Sequence, residues 1–117
     1  MKNHVFLSKI ILSAIILFIF SSTISAQKIY KAKYASSADI KVFITKYESS
    51  ADLKVYIEDY ESSAKKDGHW YFVKYESSAD KKVYFVDYES SADLKIYIVK
   101  YSSSAGWRSP SKKHLFF

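Results

Sequence analysis

The sequence has no cysteine, a single proline and only two glycines among its 117 residues. Without cysteine the protein can form neither a disulfide nor a thiolate metal site, and the scarcity of glycine and proline excludes a collagen-like chain. Hydrophobic residues make up 49% and aromatic residues 18%. These fractions are too high for a disordered polar chain, and the length fits one small domain.

Basic residues exceed acidic ones by six, and five of these six lie at the two ends of the chain. Lys2 and Lys9 lie within residues 1–26, and Arg108, Lys112 and Lys113 lie within residues 108–117; neither end contains an acidic residue. The stretch between them is therefore nearly neutral. It has no basic face of the kind that nucleic-acid binding requires, so a nucleic-acid partner is not expected.

Residues 1–26 resemble a secretory signal peptide. A basic start precedes an uncharged apolar run at residues 10–20, and small and hydroxyl residues follow up to Ala26. The run is shorter than the roughly 18 residues that a transmembrane helix needs. We expect an exported protein, periplasmic, at the cell surface or secreted; the alternative is an uncleaved N-terminal membrane anchor.

The rest of the chain is a tandem repeat of 13-residue units. A tyrosine followed by one residue and Ser-Ser-Ala or its equivalent marks each unit, at Tyr34, Tyr47, Tyr60, Tyr75, Tyr88 and Tyr101. Six units result, at residues 28–40, 41–53, 54–66, 69–81, 82–94 and 95–107, and Asp67-Gly68 is an insertion after the third. We therefore expect one compact repeat domain at residues 27–108 and a basic, then apolar tail at 109–117.

Within each unit, apolar β-branched and aromatic residues alternate over the first seven positions, which predicts one strand of six or seven residues. The connector that follows predicts a single helical turn, and the spacing of Ser49 and Asp52 is that of a capping box. Such a connector is too short for a helical crossover between adjacent parallel strands. We therefore predict an all-β fold in which successive strands pair antiparallel or lie in opposite layers, with two units per turn.

The repeat resembles that of the septoil-knot (seven-crossing) domain family. The resemblance is carried by the tyrosine that ends each strand, the Ser-x-Ala-Asp connector, His69-Trp70-Tyr71 and Ala105-Gly106-Trp107-Arg108, and it covers residues 28–108. It implies a small β-rich domain whose chain is knotted, and it implies no activity. The first unit departs from the pattern with Lys31 in an aliphatic position and Ala35 in place of Glu, and the last with Ser102 and Gly106.

An aromatic stripe is the most conspicuous candidate surface. On one face of the predicted strands, Tyr30, Phe43, Tyr56, Tyr71, Tyr84 and Tyr97 join the six tyrosines that end the units. The rings either form a binding platform for sugars or bases, or build a second packed layer. The residues selected as a ligand or partner surface are Tyr47, Tyr60, Tyr75, Tyr88 and His69.

Catalytic and metal-binding patterns are sparse. Glu48 with Asp52, and its equivalents in other units, could form a weak calcium site, but helix capping explains acidic residues there equally well. Only His69 and His114 lie outside residues 1–26, and no Gly-x-Ser-x-Gly motif or glycine-rich phosphate loop occurs. We predict a non-enzymatic structural or interaction module without cofactor or metal. The rival is a small cell-envelope hydrolase or ligand-binding protein that uses the tyrosine face or His69.

Two further features leave alternatives open. Charged residues at the sixth position of the units either alternate in sign between neighbouring strands or, in a two-layer winding, stack Lys46, Lys74 and Lys100 into a basic ridge. The tail packs Leu115 and Phe116 against the domain, frays, or binds an anionic membrane weakly. We predict a monomer with an unknown partner and no membrane contact apart from the tail and an uncleaved N-terminal segment.

Overall fold

The computed structural model describes residues 27–116. The signal peptide predicted at residues 1–26 lies outside this part of the chain. Within the described part, no helix is long and apolar enough to cross a membrane.

Short strands alternate with three-residue 3-10 turns along the chain. The strands are β1 (Lys28–Lys31), β2 (Ile40–Ile44), β3 (Leu53–Ile57), β4 (His69–Phe72), β5 (Lys81–Phe85), β6 (Leu94–Ile98) and β7 (Gly106–Trp107). The turns are Ala35–Ser37, Glu48–Ser50, Glu61–Ser63, Glu76–Ser78, Glu89–Ser91 and Ser102–Ser104, and a 3-10 helix, Pro110–Phe116, ends the described chain. The predicted β-rich alternation is confirmed, although the strands of the repeat have four or five residues instead of six or seven.

Strands β1 to β6 form a closed, all-parallel barrel. Their order around the ring is β4-β1-β5-β2-β6-β3, and pairing of β3 with β4 closes it. Thus β1, β2 and β3 occupy alternate positions, and β4, β5 and β6 fill the positions between them. The prediction of antiparallel pairing or of two units per turn is wrong, because three units complete each turn and every pairing among these six strands is parallel.

A register shift explains how short connectors can join parallel strands. Lys31, the last residue of β1, and Ile40, the first residue of β2, both pair with Val83 of β5, from its two sides. The end of β1 is therefore already level with the start of β2, and residues 32–39 only have to pass over β5. The same relationship recurs at Ile96, Ile29 and Val42 for the connections β2–β3, β4–β5 and β5–β6.

The connection from β3 to β4 is the exception, because these two strands are direct neighbours in the ring. Tyr56 pairs with His69 and Ile57 with Trp70, so β4 begins beside the end of β3, with no other strand between them. Residues 58–68 join the two strands, and they include the Asp67-Gly68 insertion. Gly68 has a φ of +84°, and its carbonyl accepts a hydrogen bond from the Tyr56 N–H at 2.8 Å. The insertion thus marks the step at which the second round of strands begins.

The connector aspartates bind the next strand in the ring instead of capping a helix. The Oδ2 atom of Asp39 accepts the Lys82 N–H at 2.9 Å, and the Asp39 N–H donates to the Lys82 carbonyl at 2.8 Å. Equivalent pairs are Asp52 with Lys95, Asp80 with Lys28 and Asp93 with Lys41. The capping-box prediction is wrong, since the residue before each of the six turns is a tyrosine without a side-chain cap bond.

The inward face of the strands fills the barrel. Its fully buried members include Ile29, Ile40, Val42, Leu53, Val55, Trp70, Val83, Leu94 and Ile96. The predicted alternation is confirmed here: Val83 is completely buried, whereas Tyr84 on the opposite face is only half-buried, on the side over which the connectors pass. Burial of this aliphatic face supplies the main stabilisation of the domain.

Candidate functional site: the open end of the barrel

The end of the barrel where the strands begin is closed by the C-terminal tail. Phe116 is buried, and its ring centroid lies 5.9 Å from that of Trp70 and 5.8 Å from that of Trp107. Lys112 Nζ donates to the Asp93 carbonyl at 2.9 Å and helps to hold the tail in place. The tail therefore packs Phe116 against the domain, which is one of the alternatives that the sequence left open.

The opposite end, where the strands finish, is open. The last residues of the six barrel strands line a depression of about 430 Å³, and we call this set the mouth: Lys31, Ile44, Ile57, Phe72, Phe85 and Ile98. Val42 and Ile96 precede the mouth residues Ile44 and Ile98 by two positions on the same strand face, and they have no exposed surface. Ile44 is 48% and Ile98 38% exposed. Large apolar side chains that stay this exposed in a ring are typical of a binding surface.

Lys31 is the one charged member of the mouth. Its Nζ atom lies 5.6 Å from the centre of the Phe85 ring, a cation–π distance. Among residues 27–116, no ion pair includes Lys31. The other five strands place an aliphatic or aromatic residue at this position, so Lys31 adds a positive charge to an otherwise apolar ring.

Six exposed charged residues follow the mouth residues by two positions. In ring order they are Lys74, Lys33, Asp87, Lys46, Lys100 and Asp59. Neither sequence-based alternative is correct: the signs do not alternate strictly, and Lys46, Lys74 and Lys100 do not form one ridge. Lys74 and Lys33 instead follow the neighbouring strands β4 and β1, on the side of the mouth that holds Lys31.

The six tyrosines that precede the turns form an exposed belt on the connectors. Their exposed fractions lie between 68% and 73%: Tyr34, Tyr47, Tyr60, Tyr75, Tyr88 and Tyr101. For this set the packed-layer alternative is wrong, because the connectors carry these rings to the outside of the barrel. The aromatic residues within the strands, by contrast, are half-buried, as packing against the connectors requires: Tyr30, Phe43, Tyr56, Tyr71, Tyr84 and Tyr97.

His69 lies apart from the mouth, on the outer face of β4. Its Nδ1 atom is 2.7 Å from Glu58 Oε2, both side chains are largely buried, and its ring contact is with Tyr56. This pair joins β3 to β4 where the two rounds of strands meet. The structure thus does not place His69 in one site with Tyr47, Tyr60, Tyr75 and Tyr88, whose rings are exposed on the connectors.

The residues weighed as catalytic or metal-binding groups have other partners. His114 Nδ1 lies 2.8 Å from the Ser111 carbonyl oxygen. Asp52 binds the Lys95 N–H, and Glu48 forms an ion pair with Lys54 at 3.7 Å. Within the described chain, no three His, Asp or Glu side chains are grouped as a metal site would require. The sequence did not identify the mouth, a depression lined by apolar side chains and Lys31. The only earlier signal for it was Lys31 in an aliphatic position.

A closed parallel barrel built from short strand-and-turn repeats defines a β-rich repeat domain. A family model described as the 7(1) septoil knot domain matches residues 26–108, which is most of the chain. The protein therefore belongs to the septoil knot domain family, as the repeat in the sequence suggested. No curated protein matches the chain.

Proposed function

We propose that the protein is an exported, non-enzymatic interaction module that presents the mouth of its barrel to a ligand or partner. The observation that carries this proposal is the contrast between the two ends. One end is closed by Phe116, whereas the other leaves Ile44 and Ile98 exposed around an apolar depression. Ligand sites of comparable volume occur in the mouths of β-barrels and are lined mainly by apolar side chains.

The positions of His69 and His114 support a non-enzymatic function. His69 is largely buried against Glu58, and His114 lies against the backbone of the tail. Neither residue lines the mouth. A nucleophile activated by histidine must lie within hydrogen-bond distance of an imidazole that substrate can reach, and the mouth offers none.

A neutral apolar dye, Nile red, tests the proposal. Its fluorescence should rise with the exported protein and fall again in the double variant Ile44→Asp, Ile98→Asp. The matched control is Tyr47→Ser, which changes the tyrosine belt and should leave dye binding unchanged. If only Tyr47→Ser lost dye binding, the binding surface would be the tyrosine belt and not the mouth. If the protein hydrolysed an ester, and His69→Ala lost this activity, the alternative function as a small hydrolase would be favoured instead.

We also propose that the chain is knotted. Membership of the family and the interleaving of β1–β3 with β4–β6 support this proposal. A knot tightens but persists when the two ends of a chain are pulled. Single-molecule stretching should therefore give a final extension clearly shorter than the roughly 3.3–3.6 Å per residue of a fully extended chain. An extension that reaches the full length would contradict the knot.

A further inference from the structure

Resting on the function proposed above, we infer that the mouth binds a single-chain amphiphile with one negative charge, of the fatty-carboxylate type. The acyl chain would occupy the apolar depression, and the carboxylate would bind the ammonium group of Lys31. Two observations carry this inference together. They are the apolar lining of the mouth and the position of one cation, without an ion-pair partner among residues 27–116, on its wall.

The lining requires a ligand with an apolar body. Five of the six lining side chains are aliphatic or aromatic, and the residues beneath them are fully buried, so the depression offers no inward-facing polar group apart from Lys31. A polar ligand such as a sugar would lose hydrogen bonds to water there without replacement. An acyl chain loses none, and it covers the exposed surface of Ile44 and Ile98.

Lys31 selects the charge of the ligand. A neutral chain that covered the mouth would remove water from the ammonium group and leave it without compensation, which is costly. A cationic ligand would meet Lys31 together with Lys33 and Lys74 on the same side of the ring. A carboxylate forms an ion pair instead, and the partly apolar surroundings strengthen that pair relative to one in water.

The shape of the mouth and the six charged residues that follow it favour a single ligand molecule over a membrane or a second copy of the chain. The mouth is a depression, whereas insertion into a bilayer requires protruding apolar residues. Asp59 and Asp87 interrupt the ring of lysines and would repel an anionic bilayer, but a single ligand can keep its head group on the side of Lys31. Two mouths packed face to face would bury two Lys31 charges in one interface, and like charges there are unfavourable.

Titration calorimetry with three probes of equal chain length tests the inference. Dodecanoate and dodecyltrimethylammonium, each below its micelle concentration, and dodecanol, below its solubility limit, are added to the protein without residues 1–26. Dodecanoate should bind about tenfold or more tightly than either other probe, which corresponds to about 1.4 kcal/mol. Lys31→Leu should abolish this preference, and Lys31→Arg should retain it. The matched control Lys41→Leu, which removes an exposed lysine from β2 outside the mouth, should leave the preference unchanged.

Each other result has a defined meaning. Equal affinity for the three probes would overturn the choice of an anionic ligand, while the dye experiment could still support the mouth as a binding surface. A preference for dodecanoate that survives Lys31→Leu would overturn the role of Lys31. Binding to vesicles of anionic phospholipid, but not to dodecanoate below its micelle concentration, would overturn the single-ligand inference in favour of a membrane.

Discussion

Asp52 and Lys95 hold each other through two hydrogen bonds, although 43 residues separate them in sequence. The Lys95 N–H donates to Asp52 Oδ2 at 2.9 Å, and the Asp52 N–H donates to the Lys95 carbonyl at 2.7 Å. Asp52 is buried, and its own carbonyl accepts the N–H groups of Arg108 and Ser109. One residue therefore joins β3, β6 and the start of the tail.

Replacement of Asp52 by alanine should lower the free energy of unfolding by about 2 kcal/mol. The carboxylate accepts a charge-assisted hydrogen bond, and its loss leaves the Lys95 N–H without a partner at a partly buried position. Urea denaturation measures the change. Asp87→Ala is the control, because Asp87 is exposed beyond the end of β5, and it should change stability by no more than about 0.5 kcal/mol. Equal effects of the two variants would contradict the structural role of Asp52.

Gly68→Ala should destabilise the domain by about 2 kcal/mol or more. A Cβ atom at this position would lie 2.6 Å from the Lys54 carbonyl oxygen and 2.9 Å from the Gly106 nitrogen, and the φ of +84° is itself unfavourable for alanine. Gly106→Ala is the comparison. Its φ of +146° is also strained, but a Cβ atom there meets nothing within 4 Å. Urea midpoints should therefore fall further for Gly68→Ala, and the reverse order would show that the close approach is relieved.

Phe116→Ala should lower the free energy of unfolding by about 3 kcal/mol, because a buried aromatic side chain is removed from between two tryptophans. Trp70 and Trp107 are the only tryptophans in the chain, so their fluorescence should also shift to longer wavelength as water reaches them. Lys113→Ala, a change to a partly exposed tail residue, serves as the control. An unchanged emission spectrum in Phe116→Ala would mean that the tail does not close this end in solution.

Deletion of Asp67-Gly68 should make refolding slower and more heterogeneous. The deletion removes Gly68, whose carbonyl accepts the Tyr56 N–H, so the register of β3 with β4 loses a defining contact and near-identical units can compete for that position. We expect refolding of the intact domain in seconds or longer, because most strand pairs join distant units. Stopped-flow dilution from denaturant measures both chains. A single millisecond phase that the deletion leaves unchanged would show that register choice does not limit folding.

Export should remove residues 1–25 or 1–26, since a basic start, a short apolar run and small residues precede that position. Intact mass of the secreted or periplasmic protein shows where the chain begins. Recovery of the full-length chain from the membrane fraction alone would identify an anchor.

The strands and turns could be predicted because their causes are local. Inward-facing and outward-facing residues alternate with the period of a strand, as Val83, Tyr84 and Phe85 do. Because the pattern occurs in six units, a departure in one unit does not hide it. The turn was expected for a similar reason, since Ser-Ser-Ala contains no strand-forming residue. The family followed from the same repetition.

Strand pairing could not be predicted because its cause is a register shift between distant units. The rule for crossover length assumes that the two strands joined by a connector are neighbours. It also assumes that the chain must return along the length of the strand, whereas here the register shift makes the end of β1 level with the start of β2 across β5, and nothing local to residues 32–39 indicates this shift. The mouth was missed for the same reason: Lys31 and Ile98 belong to opposite ends of the repeat, and only ring closure brings them to one opening.

The alternate placement of the strands has a consequence for synthesis on the ribosome. β1, β2 and β3 form no hydrogen-bonded pair with one another, so the first half of the domain has no sheet to fold into while it emerges alone. Each of these strands finds its hydrogen-bonding partners only among the later strands β4, β5 and β6. Folding can therefore be completed only once translation has nearly finished. Neither half is an independent module that recombination could transfer to another protein. A protease cut between them would leave two peptides wound into one particle until denaturant separates them.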